Sequence, residues 1–179
     1  MVTMAIKDCL KIYSEIEIEL LLEHVLRKPK EFIFLHPEFK LTMRQLNNLT
    51  QLAKRRLKGE PMAYILGYKD FYGLRFKVNK SVLVPRPETE LLVNHIVRAC
   101  REQVFSTRFV RSKNIKMLDL GTGSGCIAIS LAKKFKDLKI ENFKIIASDI
   151  SKQALAVAKQ NAKDILGFKY FNTLKYESI

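Results

Sequence analysis

The chain is 179 residues long and 47% hydrophobic, with 32 Lys and Arg against 18 Asp and Glu, a formal net charge of +14. So apolar a chain can offset its ordering entropy, which excludes a disordered polypeptide, and no apolar run approaches the ~18 residues of a bilayer span. Cys9, Cys100 and Cys126 are odd in number and show no paired spacing, which excludes a disulfide framework and a zinc knuckle and points to a reducing, cytoplasmic setting.

The first residues, Met1 to Asp8, lack the basic-then-apolar pattern of a secretory signal. The positive charge would attract acidic partners, nucleic acid among them. Basic residues are spread along the whole length, however, which is the pattern of solvated faces and not of a dedicated patch.

The first third reads as short helices. Ile6, Leu10 and Tyr13 form one apolar stripe, and Leu21, Leu22, Val25 and Leu26 close a second. Pro29 ends that helix and opens another through Leu35. Thr42-Met-Arg-Gln45 is a capping box, in which a hydroxyl and an amide side chain satisfy each other's backbone N–H. Met43, Leu46, Leu49, Ala53 and Leu57 line the helix that follows. Gly59 supplies its left-handed stop and Pro61 blocks continuation. Lys54, Arg55, Arg56 and Lys58 suit the negative end of that helix, so they have a structural use as well as a possible binding one.

After Gly67 the period changes. Phe71-Tyr-Gly73 is a turn, and Leu74, Phe76 and Val78 alternate with Arg75 and Lys77 as in a strand. Ser81 to Val84 reads as a second short strand. Pro85 and Pro87 hold the chain extended before a helix with Glu88 and Glu90 in its first turn. Leu91, Leu92, His95, Ile96 and Ala99 are its expected apolar stripe, with His95 packed rather than catalytic. Arg101 to Lys116 reads as the helix tail and a basic connector.

Ile115 to Leu120 is a strand, Gly121-Thr-Gly-Ser-Gly125 a loop, and Cys126 to Ala132 an apolar helix. Strand, glycine loop and helix form the first unit of a doubly wound sheet that binds a nucleoside at the helix N-terminus. A second strand, Phe143 to Ser148, ends in Asp149, where a carboxylate can accept hydrogen bonds from ribose hydroxyls. Asp149 lies 28 residues after Gly121, against ~20 in the dinucleotide fingerprint; Lys136 to Asn142 can absorb the excess as a surface loop. Ser151 caps the next helix, whose inner face holds Ala154, Leu155, Ala158, Ala162 and Ile165.

The glycine spacing alone fits two cofactors, because Gly123, Gly125 and Ala128 match the relaxed dinucleotide pattern. Asp119 weighs against that. A carboxylate at the mouth repels a pyrophosphate and favours the ammonium and sulfonium of S-adenosylmethionine.

Two segments together resemble the HemK/PrmC family, the N5-glutamine methyltransferases of peptide chain release factors. One is Phe71 to Val78 with Val82-Leu-Val-Pro-Arg-Pro-Glu-Thr-Glu90; the other is Leu118-Asp-Leu-Gly-Thr-Gly-Ser-Gly-Cys-Ile-Ala-Ile-Ser-Leu-Ala132. The helical part ending in Glu60-Pro-Met-Ala-Tyr-Ile-Leu-Gly67 is similar to the family's recognition domain. The resemblance implies an α/β chain: a small helical substrate-recognition domain over 1–67, a β-hairpin linker over 68–86, and an incomplete Rossmann-like S-adenosylmethionine-dependent methyltransferase domain over 87–179. It further implies that Asp119, Gly121, Thr122, Gly123, Ser124, Gly125 and Asp149 contact the cofactor. Arg86 and Glu90 are candidates to touch the substrate, or to fix the junction between hairpin and helix. The implied partner is a release factor, whose Gly-Gly-Gln loop presents the glutamine amide.

The family holds that amide with an Asn-Pro-Pro-Tyr loop. The prolines here are Pro29, Pro37, Pro61, Pro85 and Pro87, so no such motif occurs and no catalytic residue is carried over. The tail after Phe168 supplies at most a third strand. The first strand is therefore expected to keep an open edge, and one face of the sheet, around Met117, Leu118, Leu120, Ile145 and Ile146, to lack a covering layer. The chain by itself is expected not to methylate and to bind the cofactor weakly. Two other readings are a nucleic-acid amino-methyltransferase on the same core, which the charge favours and the Pro-Arg-Pro-Glu-Thr-Glu run disfavours, and a non-catalytic truncated remnant.

Overall fold

A computed structural model describes residues 4–13, 17–105, 115–140, 143–167 and 174–178. The chain divides into two compact units, Met1–Leu66 and Gly67–Ile179.

The first unit is helical: α1 (Ile6–Ile12), α2 (Ile18–Leu26), α3 (Lys30–Leu35), α4 (Met43–Leu57) and α5 (Met62–Leu66). Its core is aliphatic, with Ile6, Leu21, Leu22, Ile33, Leu41 and Leu49 fully enclosed. Helix α2 stops before Pro29 is reached, because Arg27 takes a left-handed φ of 53° and its N–H bonds to the Glu23 carbonyl. Pro29 then serves only to open α3.

The expected capping box is present. The Gln45 N–H donates to Thr42 Oγ1 at 3.3 Å, and the Thr42 N–H donates to Gln45 Oε1 at 2.9 Å. At the other end, Gly59 has φ +85°, its N–H donates to the Arg56 carbonyl, and the Glu60 N–H donates to that of Arg55. Those two bonds make a Schellman stop. The stripe of α4 differs from expectation at its ends. Leu49, Leu52 and Ala53 are buried, but Met43 and Leu57 are 41% and 55% exposed, because a 15-residue helix overhangs so small a core. The basic residues near its C-terminus are partly engaged at home: Arg55 holds Glu60 and Arg56 holds Glu17. Exposed pairs of this kind contribute only about 0–1 kcal/mol each.

The second unit opens with a hairpin, β1 (Tyr68–Phe71) antiparallel to β2 (Leu74–Lys77), in the register Tyr68↔Lys77 to Phe71↔Leu74. The two turn residues, Tyr72 and Gly73, have φ of 53° and 70°, the type I′ geometry that matches strand twist. This corrects the sequence reading in two ways. The partner of β2 precedes it, and Ser81 to Val84 is no strand: Asn79 Oδ1 accepts the Ser81 N–H and the Asn79 carbonyl accepts that of Val82, so the chain turns there. The hairpin is also no separate linker, since Phe71 and Phe76 lie in the core of this unit.

Helix α6 (Thr89–Phe105) buries Val93, Val97 and Cys100, while Leu91 and Leu92 are 62% and 48% exposed and His95 and Ala99 are also exposed. Of the expected stripe, Ile96 packs partly on the core and the other four residues are on the wrong side. The cause is local: Glu90 accepts the Tyr72 N–H at 2.8 Å and Asn94 accepts the Tyr72 hydroxyl at 2.7 Å. At about 100° per residue, fixing positions 90 and 94 against the turn brings 93, 97 and 100 inward and sends 91, 92, 95 and 99 out.

The remaining strands, β3 (Ile115–Leu120), β4 (Phe143–Asp149) and β5 (Leu174–Ser178), form a parallel sheet in the order β3-β4-β5. Helices α7 (Cys126–Asp137) and α8 (Lys152–Leu166) connect them. Ile145, Ile129, Ala158 and Ala162 are fully enclosed between sheet and helices. Alternation sorts the residues expected to be uncovered: Ile145 is buried and Met117 packs on the core, whereas Leu118 and Leu120 are 59% and 66% exposed. The loop expected at Lys136–Asn142 is shorter, as α7 runs to Asp137; residues 141 and 142 and most of the basic connector lie outside the described residues. Thr42→Ala is expected to cost about 1 kcal/mol, read as a lower urea midpoint for α4, with the signals of Gly67–Ile179 unchanged.

Candidate functional site

The five-residue loop between β3 and α7 lies across the tips of β3 and β4. Parallel register places Leu120 opposite Ser148, so the loop begins beside the end of β4. The Thr122 N–H donates to the Ser148 carbonyl at 2.9 Å and the Gly125 N–H to the Thr122 carbonyl at 2.8 Å. Asp149 closes the arrangement: its Oδ2 accepts the Gly123 N–H and its Oδ1 the Ser151 N–H, both at 2.9 Å. One carboxylate therefore fixes the loop of one strand to the start of the helix after the next.

Asp119 faces the same loop. Its Oδ2 accepts the Thr122 hydroxyl at 2.7 Å. Burial pushes its carboxyl above the usual carboxylate range; the Thr122 hydroxyl and the nearby Ala128 backbone oppose that rise, and the nearby Asp149 charge adds to it. Ser124 is buried with its hydroxyl lacking a hydrogen-bond partner among the described residues. Beside it the Cys126 thiol is pushed up by burial.

Glycine is required at this loop for two different reasons. Gly121 and Gly123 have φ of +70° and +56°, a left-handed backbone that side chains disfavour; the space where a Gly121 side chain would stand is open, which leaves the backbone there accessible to a ligand. At Gly125, φ +79°, a Cβ would meet Ile129 Cδ1 at 2.7 Å and Ala158 Cβ at 3.2 Å. That glycine lets helix α8 approach the loop. The residues fit an adenosyl group with a cationic amino-acid end: an exposed backbone at Gly121, one buried hydroxyl without a partner, and two acidic side chains met by neutral donors among the described residues.

All seven residues expected at a cofactor, Asp119, Gly121 to Gly125 and Asp149, are brought together. Arg86 and Glu90 are not placed in that loop. Arg86 is exposed and its carbonyl accepts the Thr89 N–H, while the Glu90 carboxylate holds the hairpin turn. Two residues escaped the sequence reading. Ile150, next to Asp149, is 84% exposed. Asn161 on α8 is 1% exposed and donates to the Ser124 carbonyl at 2.9 Å. A carboxamide within an alanine-lined helix face was the signal for it.

The parallel sheet, the glycine loop and the acidic strand tip define a Rossmann-like methyltransferase domain. Residues 111–173 match a methyltransferase domain family, and residues 12–67 match the PrmC N-terminal domain. The chain is 42% identical over 148 residues to a release factor glutamine methyltransferase of Coxiella burnetii, covering 83% of this chain and 48% of that protein. It is 43% identical to the Pasteurella multocida protein of the same name, over 80% and 49%, and 40% identical to a bifunctional methyltransferase of Rickettsia felis, over 83% and 31%. In its first part the chain is thus similar to the PrmC N-terminal domain and in its second to a methyltransferase domain, and it spans about half or less of the length of these relatives.

Gly125→Ala is expected to cost about 3 kcal/mol, combining left-handed strain with overpacking, and Gly121→Ala about 1 kcal/mol from strain alone; denaturation of the two variants checks the difference. A raised folded-state pKa withholds stability at neutral pH and returns it as pH falls through the folded value. The Asp119 carboxyl is therefore expected to titrate by NMR above the ordinary aspartate midpoint of 3.8, in the direction burial sets.

Proposed function

We propose that this chain carries the cofactor-binding and substrate-docking parts of a release factor glutamine methyltransferase, acting in the cytoplasm on the glutamine amide of a Gly-Gly-Gln loop. The observation that carries the reading is the loop Gly121–Gly125 held between Asp119 and Asp149, in a chain about 40% identical to proteins of that name. When bound, S-adenosylmethionine supplies a methyl group on a sulfonium, an electrophile that needs no metal.

The chain's own residues do the holding. Gly121 presents its exposed backbone to the methionine end, and the buried Ser124 hydroxyl has hydrogen-bonding capacity to spare. Asp149 has lone pairs left for ribose hydroxyls after its two backbone bonds. Asp119 sets a negative field that favours a cation over a pyrophosphate. Ile150 presents an apolar surface on which a base can lie. Residues 1–67 serve as the docking domain for the release factor. Arg86, exposed at the hairpin-to-helix junction, contacts substrate; Glu90 keeps the adjoining turn in shape.

An amide nitrogen is a poor nucleophile, so this chemistry depends on holding it in line with the methyl group. The Asn-Pro-Pro-Tyr segment that does so in the family is not among these 179 residues. The given chain therefore places cofactor and partner without gripping the amide. No helix among the described residues is long and apolar enough to cross a membrane. With labelled S-adenosylmethionine and a release factor, the 179-residue chain is expected to transfer no methyl group. Robust label on the glutamine contradicts that expectation, and label appearing on nucleic acid instead favours an amino-methyltransferase of nucleic acids, the reading that the charge of +14 supports.

A further inference from the structure

Asn161 is a buried carboxamide whose hydrogen bonds all serve backbone. Its Oδ1 accepts the Lys77 N–H at 2.7 Å, and its Nδ2 donates to the Lys77 carbonyl at 3.0 Å and to the Ser124 carbonyl at 2.9 Å. Both donors and one of the two lone pairs of Oδ1 are thereby engaged. The first pair of bonds copies a strand partner. In the hairpin the Val78 N–H donates across to the Gly67 carbonyl at 3.0 Å, so alternation turns the N–H and carbonyl of Lys77 outward, away from β1. Asn161 covers that outward edge with its amide. The third bond reaches the glycine loop.

A second contact points the same way. Ala158, one turn earlier on α8, lies so close to Gly125 that a Cβ there would approach it to 3.2 Å. The inner face of α8 thus touches the loop at two successive residues, Ser124 by hydrogen bond and Gly125 by close packing.

We propose that Asn161 is a positioning residue for the cofactor loop: its single carboxamide fastens the Ser124 carbonyl to the outer edge of strand β2 at Lys77, so that loop and hairpin are ordered together. Its functional meaning rests on the reading that the loop binds S-adenosylmethionine. An alternative amide would not serve. Aspartate keeps the acceptor for Lys77 but presents oxygen to two carbonyls, and glutamine is one methylene too long for both edges at once.

The test is residue-resolved hydrogen exchange on the full 179-residue chain, comparing Asn161→Asp and the milder Asn161→Ala with the parent. Amides that Asn161 does not itself bind are read: Gly123 and Gly125 for the loop, Val78 for the hairpin, Ile146 for the sheet and Leu46 in α4. In both variants the loop amides and Val78 are expected to exchange about tenfold faster together, while Ile146 and Leu46 stay within about twofold. S-adenosylhomocysteine affinity is expected to fall about tenfold in parallel. Faster exchange of Val78 with an unchanged loop overturns the proposal, and so does equal acceleration of Ile146, which is the mark of a general loss of stability. If S-adenosylhomocysteine fails to bind the parent chain, the cofactor reading fails, and the exchange comparison still decides the role of Asn161.

Discussion

The site depends on the carboxylate of Asp149. Strand tips in a parallel sheet end in unpaired backbone groups, and a loop rich in glycine has no side chains with which to pin itself. Asp149 answers both needs, one oxygen on the Gly123 N–H and the other on the Ser151 N–H. A charge-assisted bond of this type is roughly twice as strong as a neutral one. Because the aspartate is only 9% exposed, losing either partner would leave a buried charge undersatisfied. The loop is held in shape by the same group that has the chemistry to receive a ribose.

Around that point the second unit is tied by polar side chains on its helices or at their ends. Glu90 and Asn94 of α6 secure the Tyr72 turn, and Ser151 caps α8 through the Ala154 N–H. Asn161 is the same device in the middle of a helix. The apolar core supplies the bulk of the stabilisation, but these bonds set rotation and register. The position of α6 shows the difference: its hydrophobic residues allow two faces to be buried, and the two bonds to Tyr72 select one.

Much of this was legible in residue order. The strand, loop, helix, strand and aspartate series from Ile115 to Asp149 is local, and local periodicity locates its strands and the start of α7 to within a residue or two, though α7 runs on from Ala132 to Asp137. The Thr42 and Gln45 capping box and the Gly59 stop are likewise complete within four residues at each end of α4. Contacts between distant positions were not legible. The Tyr-Gly hairpin turn lacks the usual Asn or Asp, because Tyr72 is held at positive φ by a helix 18 residues away. Ser81 to Val84 carries strand-forming residues, yet the Asn79 side chain bends the chain first. Asn161 looks like a blemish on an alanine face until Lys77, 84 residues earlier, is seen beside it.

One face of the small sheet stands apart from this economy of contacts. Leu118 and Leu120 point away from α7 and α8 and remain largely exposed, and β3 lies at the sheet edge, whereas parallel strands are ordinarily covered on both faces. The glycine loop lies at the tips of β3 and β4 and takes its shape from α8 and β4, away from that bare face. The most direct check is an NMR titration of the isotope-labelled chain with S-adenosylhomocysteine. The account predicts that the amide signals of Gly121, Gly123, Ser124 and Ile150 move first and most. Signals moving only elsewhere, or the same ones moving equally with NAD, would contradict it.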